Sequence, residues 1–267
     1  MRVHVVSDVH GNAEALARAG DGADALVVLG DLIDFVDYHD HSRGILGRVF
    51  GPEKVGVFAE LRRGTPRSAK DRHDTATYIR SLWDGLKDAA SVVEEAVLEQ
   101  YDQMFSAMTA PTYATPGNVD SPHLWPRFAH DGVHVLDGEV AEIGGLRFGF
   151  VGGGLLPRGV VRRFDAPWWP YLRSEEDMRA ALLGLTDVDV LCTHIPPAVS
   201  ELMYDVIARR PEWGSHAALE VIARDRPRWS LFGHVHQPLA RRARVGFTEC
   251  INVGHFQRSG KPHVLVW

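Results

Sequence analysis

Five short polar clusters follow one another along the chain in a fixed order: Asp8-Val9-His10, Gly30-Asp31, Gly117-Asn118, His194 and Gly233-His234-Val235-His236. Together they offer two carboxylates, four imidazoles and one side-chain amide. Carboxylate oxygen with imidazole nitrogen suits Mn, Fe, Zn or Ni, and the lack of thiolate donors among the clusters argues against a structural Cys-type zinc site. Within Asp8-Val9-His10, and again within His234-Val235-His236, the two donors are two residues apart, so an extended segment presents both on one face. Any one cluster is weak: Gly-Asp is usually a turn, and a lone His more often satisfies a core hydrogen bond. Five in order, each closing an apolar run, point to two metal ions held side by side.

The runs that must position these donors are residues 3–6, 25–29, 113–115, 188–192 and 229–232. Short, apolar or β-branched, and broken by Gly, Pro or Asp, they read as buried strands ending in loops. Open α/β sheets build their sites beyond the carboxyl ends of strands, so five such loops can converge on one pocket. Residues 2–29 read as strand, helix and strand, with Asn12 capping a helix over 12–19, which is a parallel βαβ unit. Residues 35–70, rich in Gly, Arg and His, show little periodicity and read as loops. Across 74–108, Ile79, Leu82, Leu86, Val93, Val97, Tyr101 and Met104 recur three, four or seven apart, predicting a helical insertion. Gly85 and a Ser91-x-x-Glu94 capping box predict a break near residue 90. The insertion could cap the pocket, form a dimer arm or pack as a helix pair on the sheet face. Hairpin-like strands are expected over 133–136, 139–143 and 146–151, helices over 174–185 and 216–224, and closing strands near 246–253 and 263–266. The fold class is α/β: a two-sheet mixed β-sandwich flanked by helices, one domain over residues 1–267, with the helical insertion at about 74–108.

With 267 residues and 45% hydrophobic content the chain can bury a sizeable core. A net charge of -6 leaves no global basic footprint, so no nucleic-acid polymer is expected as partner. Cys192 and Cys250 lie in apolar strand-like runs, as reduced core thiols do. No apolar run approaches the roughly 18 residues a membrane-spanning helix needs, so no membrane partner is expected. The first strand begins at Arg2 and leaves no room for a cleaved leader, so the expected location is cytoplasmic.

The series from Asp8 to His236 resembles the calcineurin-like metallophosphoesterases, and Ile251-Asn252-Val253-Gly254 is also similar to that family. The resemblance implies the family's four-layer αββα sandwich and two divalent metal ions, Mn or Fe favoured, with Zn or Ni as alternatives. By the same resemblance Asp8, His10, Asp31 and His236 would hold the first ion, and Asp31, Asn118, His194 and His234 the second. A carboxylate shared in this way, with Asp31 the candidate, would hold the ions about 3.5 to 4 Å apart. A hydroxide bridging them would attack the phosphorus of a small phosphoester in line.

Two departures narrow the expectation. Many members carry a His after the Asn, where it protonates the leaving group or steadies the transition state; here the residue is Val119. Losing this acid hurts expulsion of a basic alkoxide most, which favours a phosphodiesterase over a phosphomonoesterase, with a non-catalytic scaffold as the third reading. Phe35 stands where Ser/Thr protein phosphatases carry Asp-Arg-Gly, which argues against that activity. A replacement proton donor is sought at His39, His41 or His123, and substrate contacts at His39, His41, Arg162 and Arg163. Arg158, Trp168 and Trp169 in the same segment could meet a phosphate or stack a base. A homodimer through the helical insertion is a further expectation.

Overall fold

Alternation within the strands decides the layers. In the computed structural model, which describes residues 1–63, 69–109, 111–157, 159–160 and 166–267, the strand Arg2–Val6 sends Val3 and Val5 into one core and Val6 into another. Ala25–Val28 does the same, with Ala25 and Val27 inward and Leu26 and Val28 outward. From the facing sheet, Val190 and Cys192 of Val190–Thr193 and Trp229 and Leu231 of Trp229–Phe232 meet the inward set. Their neighbours Leu191 and Phe232 point the other way, into a third core. Strands covered on both faces need apolar residues on both, which is why these runs are continuous rather than alternating.

The first sheet runs, in spatial order, His263–Val266, Arg2–Val6, Ala25–Val28, Thr112–Ala114 and Val133–Val135, and only the His263–Val266 edge is antiparallel. The second runs Arg242–Val245, Thr248–Asn252, Trp229–Phe232, Val190–Thr193, Leu146–Val151 and Glu139–Ile143, with four parallel strands between two antiparallel edges. Helices Ala13–Ala19, Gly44–Phe50 and Ala89–Ser106 cover the outer face of the first sheet, while Glu175–Gly184 and His216–Asp225 cover that of the second. Helix, sheet, sheet and helix give the expected four layers. Asn12 caps its helix by accepting from Ala15 N at 3.1 Å, as its position suggests.

Several local readings need correction. Residues 35–70 are not loops throughout: they contain Gly44–Phe50 and Pro52–Arg63, whose Ile45, Leu46, Val55 and Phe58 enter the outer core. Gly51, at φ 80°, separates the two helices, so no single helical period spans them. The insertion forms Ala69–Asp84 and Ala89–Ser106, but the second helix begins after left-handed Asp88, leaving Ser91 inside the first turn instead of capping it. Ala89–Ser106 lays Val93, Val97, Tyr101, Met104 and Phe105 against the first sheet, each burial contributing roughly 1.5–3 kcal/mol. Of the three placements considered for the insertion, this helix therefore takes the sheet face. Val133–Val135 forms no hairpin: it extends the first sheet in parallel, while the hairpin partners Glu139–Ile143 and Leu146–Val151 lie in the second. Arg242–Val245, an edge strand not anticipated, pairs antiparallel with Thr248–Asn252. Among the described residues no helix is long and apolar enough to cross a membrane. Arg158, Arg162 and Arg163 lie outside the described residues.

Candidate metal centre

Parallel strands deliver the donors to one end of the sandwich. Asp8 and His10 follow Arg2–Val6, Asp31 follows Ala25–Val28, Asn118 follows Thr112–Ala114, His194 follows Val190–Thr193, and His234 and His236 follow Trp229–Phe232. The chain turns sharply there, and Asp8, His10, Asp31 and His234 all take positive φ, at 57°, 41°, 53° and 66°. Non-glycine residues in this region cost of order 1–3 kcal/mol each and persist only where surrounding bonds compel them. Those bonds are present: Asp8 N donates to Gly30 O (3.1 Å), His10 N to Asp31 O (2.9 Å), and His234 N to the Asp8 carboxylate (3.0 Å). The loops are also pressed together. A Cβ on Gly30 would stand 2.0 Å from Gly117 N, and one on Gly233 would stand 1.9 Å from Ser7 Oγ and 2.3 Å from Asp8 Oδ2.

All seven sequence-predicted donors are brought together. His236 Nε2 is 3.3 Å from Asp8 Oδ1 and 3.3 Å from His10 Nε2, and His194 Nε2 is 2.9 Å from Asn118 Oδ1. Asp31 Oδ2 lies between the groups, 3.4 Å from His194 Nε2 and 3.9 Å from His10 Nε2. Donors bonded to one ion at roughly 2.0–2.2 Å stand about 3–3.5 Å apart along the edges of its coordination shell, the spacing most of these pairs have. The His234 ring lies 5.2 Å from that of His194 between centroids, and its Nε2 is buried with no hydrogen-bond partner. An orphaned buried imidazole nitrogen beside two buried carboxylates is the need a cation meets. The donor set therefore fits divalent metal ions.

Backbone acceptors set the histidine tautomers. His194 Nδ1 meets Leu29 O at 2.8 Å and His10 Nδ1 meets Ile33 O at 3.2 Å, which leaves each Nε2 to face the cluster. In the metal-free chain the groups hold one another's charge. Burial would lower the His194 pKa, but the Asp31 carboxylate raises it to about 9. Burial would raise that of Asp31, yet the His194 charge holds it at about 2. Asp8 is likewise held well below the carboxylate range, by His236 against the effect of burial.

The calcineurin-like phosphoesterase family model matches residues 1–238. The chain belongs to the calcineurin-like phosphoesterases. These are metal-dependent phosphoester hydrolases, and the family implies divalent ions at the centre just described. One solved crystal structure superposes on this phosphoesterase with a TM-score of 0.58 at 18% identity, covering 99% of this chain and 98% of its own. Another, TT1561 of Thermus thermophilus, gives 0.52 at 16% identity, covering 99% and 97%. Both show the shared fold. No curated protein is similar enough in sequence to count as a match.

Three residues of this phosphoesterase went unnoticed in the sequence. His255 stacks on His236 (centroids 3.8 Å apart, planes at 18°) and stands edge-on to His10, close enough to join them around an ion. Its position after the parallel strand Thr248–Asn252 is the signal that would have found it. Asp120 is wholly buried, and its carboxylate accepts from Leu32 N (3.0 Å), Gly117 N (2.8 Å) and Tyr101 Oη (3.3 Å), tying the Asn118 loop to the residue after Asp31. Gln257 donates through Nε2 to His10 O at 3.0 Å, and its Oε1 lies 3.2 Å from His255 Nε2. The other candidates scatter. His39 is exposed on a pocket wall beside His255, and His123 is exposed on the short 3-10 helix Pro122–Arg127. His41 is not brought to the donors: it turns towards Pro52–Arg63, where a Cβ on Gly56 would stand 3.2 Å from its Nδ1. Trp168 stacks on Phe35 (3.8 Å, 19°), so that face of the indole is already covered.

Proposed function

We propose that this phosphoesterase is a dinuclear phosphodiesterase acting on a small diester. The observation that carries the reading is the Asp31 carboxylate. Its Oδ2 lies within 3.9 Å of donors from both groups, while its Oδ1 is fixed by Val119 N at 2.9 Å. Asp8, His10, Asp31 and His236 would hold one ion, and Asp31, Asn118, His194 and His234 the other. Bound divalent ions supply Lewis acidity to the phosphoryl oxygens and lower the pKa of the attacking water. The chain supplies rigidity: positive-φ turns keyed together by hydrogen bonds hold the donors at fixed spacing before substrate arrives. Hydrolysis forms one P–O bond from water and breaks one to the leaving oxygen, which departs with a proton.

Diesters are favoured by what surrounds Asn118. Val119 is half-buried and packs against the helix-side core, so the position offers no proton to a basic alkoxide. Substrates whose leaving oxygen needs little help are the better match. Purified protein with Mn²⁺ should hydrolyse bis-p-nitrophenyl phosphate, and His194→Ala should remove most of that activity. Absence of turnover with each of Mn, Fe, Ni and Zn would overturn the assignment.

A further inference from the structure

Beside the donor cluster lies an open pocket of about 560 Å³ whose cationic groups the hydrolysis itself does not use. His255, stacked on His236, forms one wall, so the pocket begins one ring away from the metal centre. Arg43 and Arg258 line it as well. Arg43 also lines a second, smaller pocket that opens on His10, so it stands between two approaches to the same centre.

Each arginine is carried by the segment bonded to a donor loop. Phe256 N donates to Ser7 O (3.0 Å), Gln257 N to Asp8 O (2.9 Å) and Asn12 Nδ2 to Gln257 O (2.9 Å). Arg258, the next residue, is thus placed relative to Asp8 and His10 by the backbone. Arg43 ends the loop that leaves Asp31, and that loop is folded by Asp37, whose Oδ1 accepts from His39 N (2.8 Å) and Asp40 N (2.9 Å). The one carboxylate on the pocket wall is therefore already engaged. Its Oδ2 reaches Arg43 Nε only at 4.0 Å, with the arginine side chain 65% exposed, a pair worth little in water. Arg258 makes no ion pair among the described residues. Two guanidinium groups with donors to spare, on a chain of net charge -6, mark a place for an anion.

Resting on the phosphodiesterase reading, we propose that the pocket is a substrate subsite selecting diesters whose other arm bears a second anionic group, a phosphate or a carboxylate, held between Arg43 and Arg258. The bound arm would cross His255 from the metal centre, which sets the distance between the two charges.

The test compares three p-nitrophenyl phosphodiesters on the Mn-loaded full chain, with ethyl, 2-carboxyethyl and 2-phosphoethyl arms. The expected result is a kcat/KM at least about tenfold higher for one or both anionic arms, and the better of the two names the anion. Arg43→Gln and Arg258→Gln should each cut that preference about fivefold or more, with Arg43→Lys retaining part of it. A preference for the ethyl arm, or a preference unchanged in both glutamine variants, overturns the proposal. Should none of the three be turned over, the phosphodiesterase reading fails on its own, and the subsite is judged by calorimetric titration with inorganic phosphate. Wild type binding several-fold tighter than the R43Q/R258Q variant would then support the anion site, and equal binding would overturn it.

Discussion

His234 donates its backbone N–H to both carboxylate oxygens of Asp8, at 3.2 and 3.0 Å, across 226 residues of sequence. The two residues belong to different sheets and both hold positive φ, at 66° and 57°. Each strained turn is thus held by the other, and the two halves of the metal centre are set against each other before any ion binds. Asn252 reinforces the join through Nδ2, which lies 3.0 Å from Val235 O and 3.3 Å from Gly233 O.

That join requires glycine at position 233. A Cβ there would stand 1.9 Å from Ser7 Oγ and 2.3 Å from Asp8 Oδ2. Neither can turn away: the Ser7 Cβ itself also lies within the clash, and the Asp8 carboxylate is tied to His234. Gly233→Ala should therefore cost on the order of 2–3 kcal/mol of stability by overpacking and weaken Mn binding at least about tenfold. Thermal unfolding and a Mn titration followed by calorimetry check both, and a variant that binds Mn with undiminished affinity would show that the loops relax freely.

How much of this could be read in the sequence depends on how local the cause is. Asp8, His10 and His236 were legible because an apolar run, a turn and the donors are contiguous, and strand ends in parallel sheets share a direction. The helices Gly44–Phe50 and Pro52–Arg63 were not, because Gly51 breaks the period and the apolar residues Ile45, Leu46, Val55 and Phe58 match no one repeat. Arg242–Val245 hides for a different reason: as an edge strand it leaves Arg242 and Arg244 exposed, and so lacks an apolar face on one side. His255 and Asp120 act through residues far away in sequence, His236 and Leu32, and such partnerships exist only after folding.

The metal-free chain should be most stable near neutral pH. His234 is pushed down from 6.5 to about 4, by burial and then by the His194 charge, and His255 to about 4 by burial and then by His236. Groups lowered in this way contribute stability above 6.5 and lose it as pH falls towards 4. His194, raised to about 9, contributes fully below 6.5 and loses its share as pH rises through 9. Asp34 and Asp120, each raised from 3.8 to about 7, by burial and then by Asp37 and Asp31 respectively, lose their share as pH rises through that lower range, two groups against four histidines gaining, since burial lowers His10 and His263 as well. In EDTA the Tm should rise modestly from about pH 4.5 to 6.5 and fall again from about 7 to 9.5. Because an ion must displace the His194 proton, the Tm gain on adding Mn²⁺ should grow between about pH 6 and 8. Calorimetric scans across that range check the shape, and a Tm falling steadily from acid to alkali would contradict it.

Val119 gives the sharpest handle on substrate class. Its amide holds Asp31 Oδ1 at 2.9 Å, a bond any residue can make, while its side chain is half-buried against the helix-side core. An imidazole at this position adds a titratable proton beside Asn118 without removing a donor of the centre. General acid help is worth roughly 10²–10⁴-fold to a leaving group that needs it and little to one that does not. Val119→His should therefore raise kcat/KM for a monoester with a basic alkyl leaving group relative to bis-p-nitrophenyl phosphate by about tenfold or more, at a stability cost of about 1 kcal/mol. The gain should vanish at high pH as the imidazolium is lost, which separates proton donation from a change of packing. Parallel rate measurements on both substrates between about pH 5.5 and 9 decide it. A ratio that stays at the wild-type value across this range would mean that the proton reaches the leaving oxygen from elsewhere, and His255, stacked on His236, is the imidazole to replace next.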